Sequence, residues 1–152
     1  MAGPLSPPPP PGSSAFAGSV LTVTPNTGLD RVLFLDRLEP GRNQARVVWG
    51  MGGKGCDVSL ILRGLDVATA AAGFAAGDLG HRMEAMLAAA GVECRFVRTG
   101  GETRINTVII EAATDTHTTI CAESLQVTPE HVQELIELVE REVLRCNRRI
   151  DR

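Results

Sequence analysis

The chain has 152 residues, 43% hydrophobic and 22% charged, a globular composition rather than a disordered or fibrous one, and its length suits one domain with a real core. Fifteen basic against eighteen acidic residues give a net charge of −3, which excludes a strong general pull toward nucleic acid. Aromatics at 3% exclude base-stacking platforms as well.

The first eighteen residues, MAGPLSPPPPPGSSAFAG, have neither the basic nor the apolar region of a secretory signal. The proline run Pro7 to Pro11 favours an extended, solvated conformation, so residues 1–18 are expected to be a disordered leader. Order is expected to begin near Val20. Val20 to Thr24, VLTVT, reads as a strand ending at Pro25-Asn26, and Arg31 to Leu38 as a second, stopped by Glu39-Pro40-Gly41. Ala45 to Trp49 is a third strand, halted by Gly50, Gly52, Gly53 and Gly55.

A helix is expected to start within that glycine cluster, with Val58, Ile61, Leu62 and Leu65 on one face. Val67 to Phe74 reads as a short buried strand. Asp78 can cap a second helix, with Leu79, Met83, Met86, Leu87 and Ala90 inward and Gly91 as its stop. Arg95 to Val97 and Arg104 to Glu111 read as strands around the turn Gly100-Gly101, and Thr118 to Ala122 as another. In the last helix Thr128 is the N-cap and Pro129 takes the first position. Val132, Leu135, Ile136, Val139 and Val143 form its apolar stripe.

Strands alternating with helices predict an α/β architecture with a mostly parallel sheet. The two early strands with no helix between them, together with Arg95 to Glu111, break the alternation and are expected to form a smaller side sheet. The four cysteines and three histidines are scattered without metal-ligand or disulfide spacing, so reduced thiols, no metal site and a cytoplasmic setting are expected. No apolar run reaches the roughly 18 residues of a membrane span. The Arg-rich end, residues 145–152, reads as a solvated basic tail.

Three segments could carry chemistry. In Gly50-Met-Gly-Gly-Lys-Gly55 the glycines allow close backbone approach to a ligand, and the following helix offers free N–H groups. The segment is not a Walker A loop, since Gly55 follows Lys54, and a plain tight turn is the alternative. Asp30 and Asp57 sit at expected element junctions, where a carboxylate can accept hydrogen bonds from vicinal hydroxyls; Asp57 could equally just favour the positive end of a helix. Arg104 and Asn106, two apart on a strand, point to one face. There they suit a phosphate beside a hydroxyl, or simply a solvated strand face.

Together, NTGLD (Asn26 to Asp30), DRLEPG (Asp36 to Gly41), GGKGCDVS (Gly52 to Ser59) and ETRINT (Glu102 to Thr107) resemble, in order and spacing, the motifs of the PfkB carbohydrate kinase family. Its fold is ribokinase-like, a parallel sheet flanked by helices with a small β-sheet lid. The branch it resembles most holds the 1-phosphofructokinases and tagatose-6-phosphate kinases. The resemblance runs from about Val20 to Leu144 and implies ATP-dependent phosphorylation of a sugar phosphate, with ATP and Mg2+ as cofactors. It also implies a lid that covers the sugar and can pair two subunits.

It implies further that Asp30 and Asp57 contact sugar hydroxyls, that Gly52, Gly53 and Lys54 approach the sugar, and that Arg104 with Asn106 receives the substrate phosphate. Two departures stand out. Thr27-Gly28 replaces Pro-Ala, and Cys56-Asp57 replaces Ile-Asn, exchanging a neutral amide for an anion. The family's GAGD motif, which supplies the catalytic base, is not found. RCNRRIDR stands where SGSLPPG should follow the last helix. The chain is therefore expected to be the N-terminal, sugar-binding half of a kinase domain, residues 19–144. A non-catalytic protein that binds sugar phosphate, or pairs with another chain through its lid, is the alternative, and a nucleoside or simple-sugar kinase of the same fold ranks below both.

Overall fold

The computed structural model describes residues 20–150, with side chains as far as Leu144; the expected leader, residues 1–18, lies outside the described residues. The elements are β1 (Val20–Thr24), β2 (Gly28–Leu35), β3 (Arg46–Gly52), α1 (Lys54–Gly64), β4 (Thr69–Ala75), α2 (Gly77–Ala89), β5 (Glu93–Arg98), β6 (Arg104–Glu111), β7 (Thr116–Cys121) and α3 (Pro129–Ile150). The strands divide between a three-stranded sheet ordered β1-β4-β5 and a four-stranded one ordered β3-β2-β6-β7.

The first sheet is parallel throughout, and its central strand, TAAAGFA, is buried along its whole length. A parallel strand covered on both faces reads as an unbroken run of small or apolar residues rather than an alternation. The two faces are nonetheless distinct. Ala71 and Ala75 share one core with Cys56 of α1 and Met83 and Leu87 of α2. Ala72 and Phe74 share the other with Val97 of β5 and Leu135 of α3. Helices α1 and α2 therefore cover one face and α3 the other.

In the second sheet β2 runs parallel to β6, while β3 and β7 flank them antiparallel. Alternation along these strands gives the sheet two unlike faces. Near the parallel layer, Leu29, Met51 and Ile105 face inward and join the α2 core. The Arg82 guanidinium of α2 lies over the Trp49 ring at 3.9 Å. The opposite face at this end carries Asp30, Arg104 and Asn106. Farther out the sheet is exposed, with Val47 and Val48 on β3 at 48% and 40%.

Several expectations need correction. Strand β2 starts at Gly28 and stops at Leu35, earlier at both ends than expected, because the run continues the register set by β6 from Gly28 onward. The Arg95 strand joins the parallel sheet and not the side sheet. The reason is that α2 serves as the crossover from β4 to β5, so the alternation of strand and helix continues there. Strand β1 likewise belongs to the parallel sheet, and the side sheet takes β7 instead.

Asp78 does not cap α2; the N-cap residue is Ala76, with no side-chain cap, and Ala90 is exposed at the far end. Gly91, at φ +81, does end that helix. The apolar face expected for α1 stays largely in solvent, with Ile61 and Leu65 64% and 68% exposed. Its inward face carries the small residues Cys56 and Ser59, which let the helix lie close on β1 and β4. The Ser59 hydroxyl bonds those of Thr22 at 2.8 Å and Thr69 at 3.0 Å, so a polar chain crosses this interface fully satisfied. On α3, Thr128 caps as expected, its Oγ1 accepting the His131 N–H at 3.5 Å. Of the expected stripe only Leu135 is buried, while Val132, Ile136 and Val143 are 44–48% exposed. The helix runs on through the basic stretch to Ile150.

Candidate ligand cleft

The site forms where the two sheets meet. The turn from β3 into α1 passes through Gly53 at φ +105, a conformation that L side chains rarely adopt. A Cβ there would sit 2.7 Å from Thr24 Cγ2. Gly52 is buried behind Asp30, where a Cβ would come 2.8 Å from its Oδ1. This glycine pair folds the start of α1 against the ends of β1 and β2. A cleft of about 400 Å3 opens there, lined by Asp30, Gly53, Lys54, Asp57, Arg104 and Asn106, together with Val23 to Asn26 and Gly55.

Of the residues expected to contact a sugar phosphate, all but Gly52 line this cleft, and Gly52 stands directly behind it. Asp30 is not at a junction, as expected, but inside β2; Asp57 lies in the first turn of α1. The β2–β6 register pairs Gly28 with Arg104 and Asp30 with Asn106, which sets Asp30, Arg104 and Asn106 on one face. Asn106 Nδ2 donates to Asp30 Oδ1 at 2.8 Å. Two buried polar atoms here, Arg104 Nε and Asn106 Oδ1, have no hydrogen-bond partner. Buried polar groups are normally satisfied, so a donor and an acceptor are held in reserve in the cleft wall.

Burial raises the Asp57 pKa above the ordinary carboxylate range, the nearby Asp30 charge raises it further, and Lys54 partly offsets both. The cleft is therefore mixed in charge on both sides, with Asp30 beside Arg104 and Asn106 on the sheet and Asp57 beside Lys54 at the start of α1. Cys56, next to Asp57, points the other way into the core. Its thiol is pushed up by burial and lies 3.6 Å from Thr24 Oγ1.

Sequence reasoning missed Thr24 and Asn26, which line the cleft, and Thr27, whose hydroxyl donates to the Phe74 carbonyl at 2.6 Å. Thr27 is fully buried and ties the cleft loop to the centre of the parallel sheet. Because it falls inside the NTGLD motif, its departure from the motif pattern was visible, but its bond to a strand 47 positions away was not.

A parallel α/β/α layer with a four-stranded sheet standing over the mouth of one cleft is the ribokinase-like architecture. Accordingly, the chain resembles a possible 1-phosphofructokinase from Thermotoga maritima at a TM-score of 0.73 and 32% identity, covering 79% of this chain and 40% of that one. A ribokinase from Giardia lamblia, at 14% identity, shares the fold at a TM-score of 0.63 over 78% of this chain and 40% of that one. Residues 27–145 match the pfkB family carbohydrate kinases, and the chain belongs to that family. It is 34% identical to a 1-phosphofructokinase of Haloferax volcanii over 96 residues, 61% of this chain and 32% of that protein. Against a 1-phosphofructokinase of Haemophilus influenzae it is 36% identical over 99 residues, 64% of this chain and 32% of that protein. The matched part of the chain thus covers about a third of the length of these relatives.

Proposed function

We propose that this chain holds the acceptor of a sugar-phosphate kinase reaction of the 1-phosphofructokinase type, with 6-phosphofructokinase and tagatose-6-phosphate kinase chemistry as its near variants. The observation that carries this reading is the pair of unpartnered buried atoms, Arg104 Nε and Asn106 Oδ1, on the sheet face that also carries Asp30, in one cleft with Asp57 and Lys54 of α1. Such a cleft suits a ligand that carries both an anionic group and hydroxyls. The guanidinium would take the phosphate through charge-assisted bonds. Asp30, already engaged by Asn106, and Asp57 would accept from vicinal hydroxyls, with Gly53 letting the sugar approach the backbone and exposed Lys54 adding a cation at the lip. Holding the acceptor hydroxyl still is most of what a protein contributes to phosphoryl transfer.

ATP and Mg2+ belong to this reaction by family resemblance. Among the described residues no group of three or more His, Cys, Asp or Glu side chains is placed to hold a metal ion. No residue of the chain is assigned as the base.

The test is calorimetric titration of the chain with fructose 1-phosphate, fructose 6-phosphate, tagatose 6-phosphate and fructose, beside a coupled ATP assay. Binding of a phosphorylated sugar in preference to fructose supports the reading, and Arg104→Ala should remove that preference. Equal affinity for fructose and its phosphates would sink it. Pairing through the lid is a second reading, favoured by the apolar outer end of the cleft-side face. There Val32, Val48, Val108 and Ile110 lie side by side, with Val48 40% exposed. Sedimentation of Val48→Asp beside the unsubstituted chain tests it: a dimer that the substitution splits supports lid pairing. Among the described residues no helix is long and apolar enough to cross a membrane.

A further inference from the structure

Helix α2 begins at Gly77 after an N-cap residue, Ala76, that has no side chain able to cap it. Its free N–H groups are met from elsewhere in the chain. Glu102 reaches back so that its Oε1 accepts the Leu79 N–H at 2.9 Å. Beside it, Thr103 Oγ1 accepts the Ala76 N–H at 3.0 Å, and the Thr103 N–H donates to the Ala76 carbonyl at 3.1 Å. Gly77 lies at φ +62, and a Cβ at that position would overlap the Glu102 carboxylate. The backbone therefore leaves open the space that the carboxylate fills. An acidic side chain at a helix N-terminus is stabilised both by the free N–H groups and by the helix dipole. This helix end is accordingly occupied by an anion of the chain itself.

The next residue but one after Glu102 is Arg104, the first residue of β6. Arg104 stands on the lid sheet, whereas Lys54 and Asp57 across the cleft belong to α1, on the parallel layer. No strand pairing joins the two sheets, so beyond the chain's own connections they are held by hydrogen bonds such as those of Thr27, Glu102 and Thr103. The bonds from Glu102 and Thr103 to α2 are the ties nearest in sequence to Arg104. On its other side, Arg104 is fixed by pairing with Gly28.

We infer that Glu102 is a positioning residue for ligand binding. By capping α2 it anchors the start of β6 to the parallel layer and fixes where the Arg104 guanidinium stands relative to Asp57. This rests on the proposed role of Arg104 as the phosphate ligand. Glu102 is itself exposed and Thr103 fully buried, so removing the Glu102 carboxylate leaves the core contacts in place and acts on the anchor.

The experiment uses the full 152-residue chain, titrated calorimetrically with fructose 1-phosphate and with fructose at matched folded fraction. Glu102→Ala should weaken fructose 1-phosphate about tenfold, the worth of one charge-assisted bond, and leave the weak affinity for fructose unchanged. Glu102→Gln keeps an acceptor oxygen at the same reach and should recover most of the loss. Glu102→Asp keeps the charge but shortens the side chain, and should lose affinity as the alanine variant does; it serves if the alanine variant fails to fold. Wild-type selectivity in both Glu102→Ala and Glu102→Asp, while Arg104→Ala loses it, overturns the inference and leaves the reading of the cleft standing. An equal loss for both sugars also overturns it, since a general loosening of the fold would do that. If the unsubstituted chain does not distinguish fructose 1-phosphate from fructose, the reading of Arg104 falls first, and the inference with it.

Discussion

The parallel layer and the lid sheet are built on opposite plans. In the parallel layer every residue of the alanine-rich strand β4 is buried, with helices packed on both of its faces. In the lid, β7 is exposed along its whole length and much of β3 is exposed too. Yet Asp30, Arg104 and Asn106 stand on the lid, while Thr24, Lys54, Asp57 and the glycine turn come from the other side. One region supplies most of the buried core, whereas the other, itself much exposed, contributes Asp30, Arg104 and Asn106 to the cleft. Changes to stability and changes to binding should therefore separate cleanly by sheet.

The most severe break should come from Leu87→Ala. Leu87 is fully buried in the core beneath α2, and truncating such a residue costs about 2–5 kcal/mol. The matching change in the lid, Val47→Ala, removes a side chain already 48% exposed and should cost under about 1 kcal/mol. Urea unfolding of the two variants measures the contrast; equal losses would mean that the lid is part of the same core. Arg104→Ala should reverse the pattern. About 2 kcal/mol of affinity for a phosphorylated sugar should be lost, with the urea midpoint nearly unmoved, because the residue is only partly buried and its Nε has no partner to lose.

Thr103 stands between the regions and should blur the division. Thr103→Val keeps the shape but leaves the buried Ala76 N–H without its acceptor, which costs about 1–2 kcal/mol of stability. It should also weaken binding, since β6 starts at the next residue. A loss of stability with unchanged binding would show that the junction serves α2 alone.

The same division governs what could be read from sequence. The strands VLTVT and RINTVIIE were legible because β-branched runs bounded by turn residues leave few alternatives, and four ordered motifs were enough to bring six cleft residues together. Helix α1 was legible as a helix but not in orientation. Periodicity pointed to Val58, Ile61 and Leu65, and these are 45–68% exposed, whereas the buried face is built from Cys56 and Ser59. Hydrophobicity cannot announce an interface closed by three hydroxyls, whose partners lie on two other strands. Asp78 failed as a cap for a related reason. A capping residue is sought locally, and the group that meets the α2 N-terminus is Glu102, 23 positions from the N–H it accepts.

The smallest and most specific effect concerns Asp57, the one cleft residue whose chemistry departs from the family motif. Burial, and then the Asp30 charge, hold its pKa above the ordinary 3.8. A carboxyl whose folded pKa lies above its unfolded value binds protons more readily in the native state. Its ionised form therefore costs the fold, and stability falls as pH rises from about 3.8 through the raised value, then stays level. Asp57→Asn removes that cost at neutral pH, so its urea midpoint should exceed that of the unsubstituted chain at pH 7, and the gap should close as pH falls toward 3.8. A gap that persists undiminished in acid would mean that shape, and not charge, distinguishes the two. Because the amide keeps an acceptor oxygen and no longer repels an arriving phosphate, the same variant should bind fructose 1-phosphate at least as tightly. Weaker binding would show that the carboxylate is used for something an amide cannot do, and would put the two charged walls of the cleft on a different substrate from the one proposed.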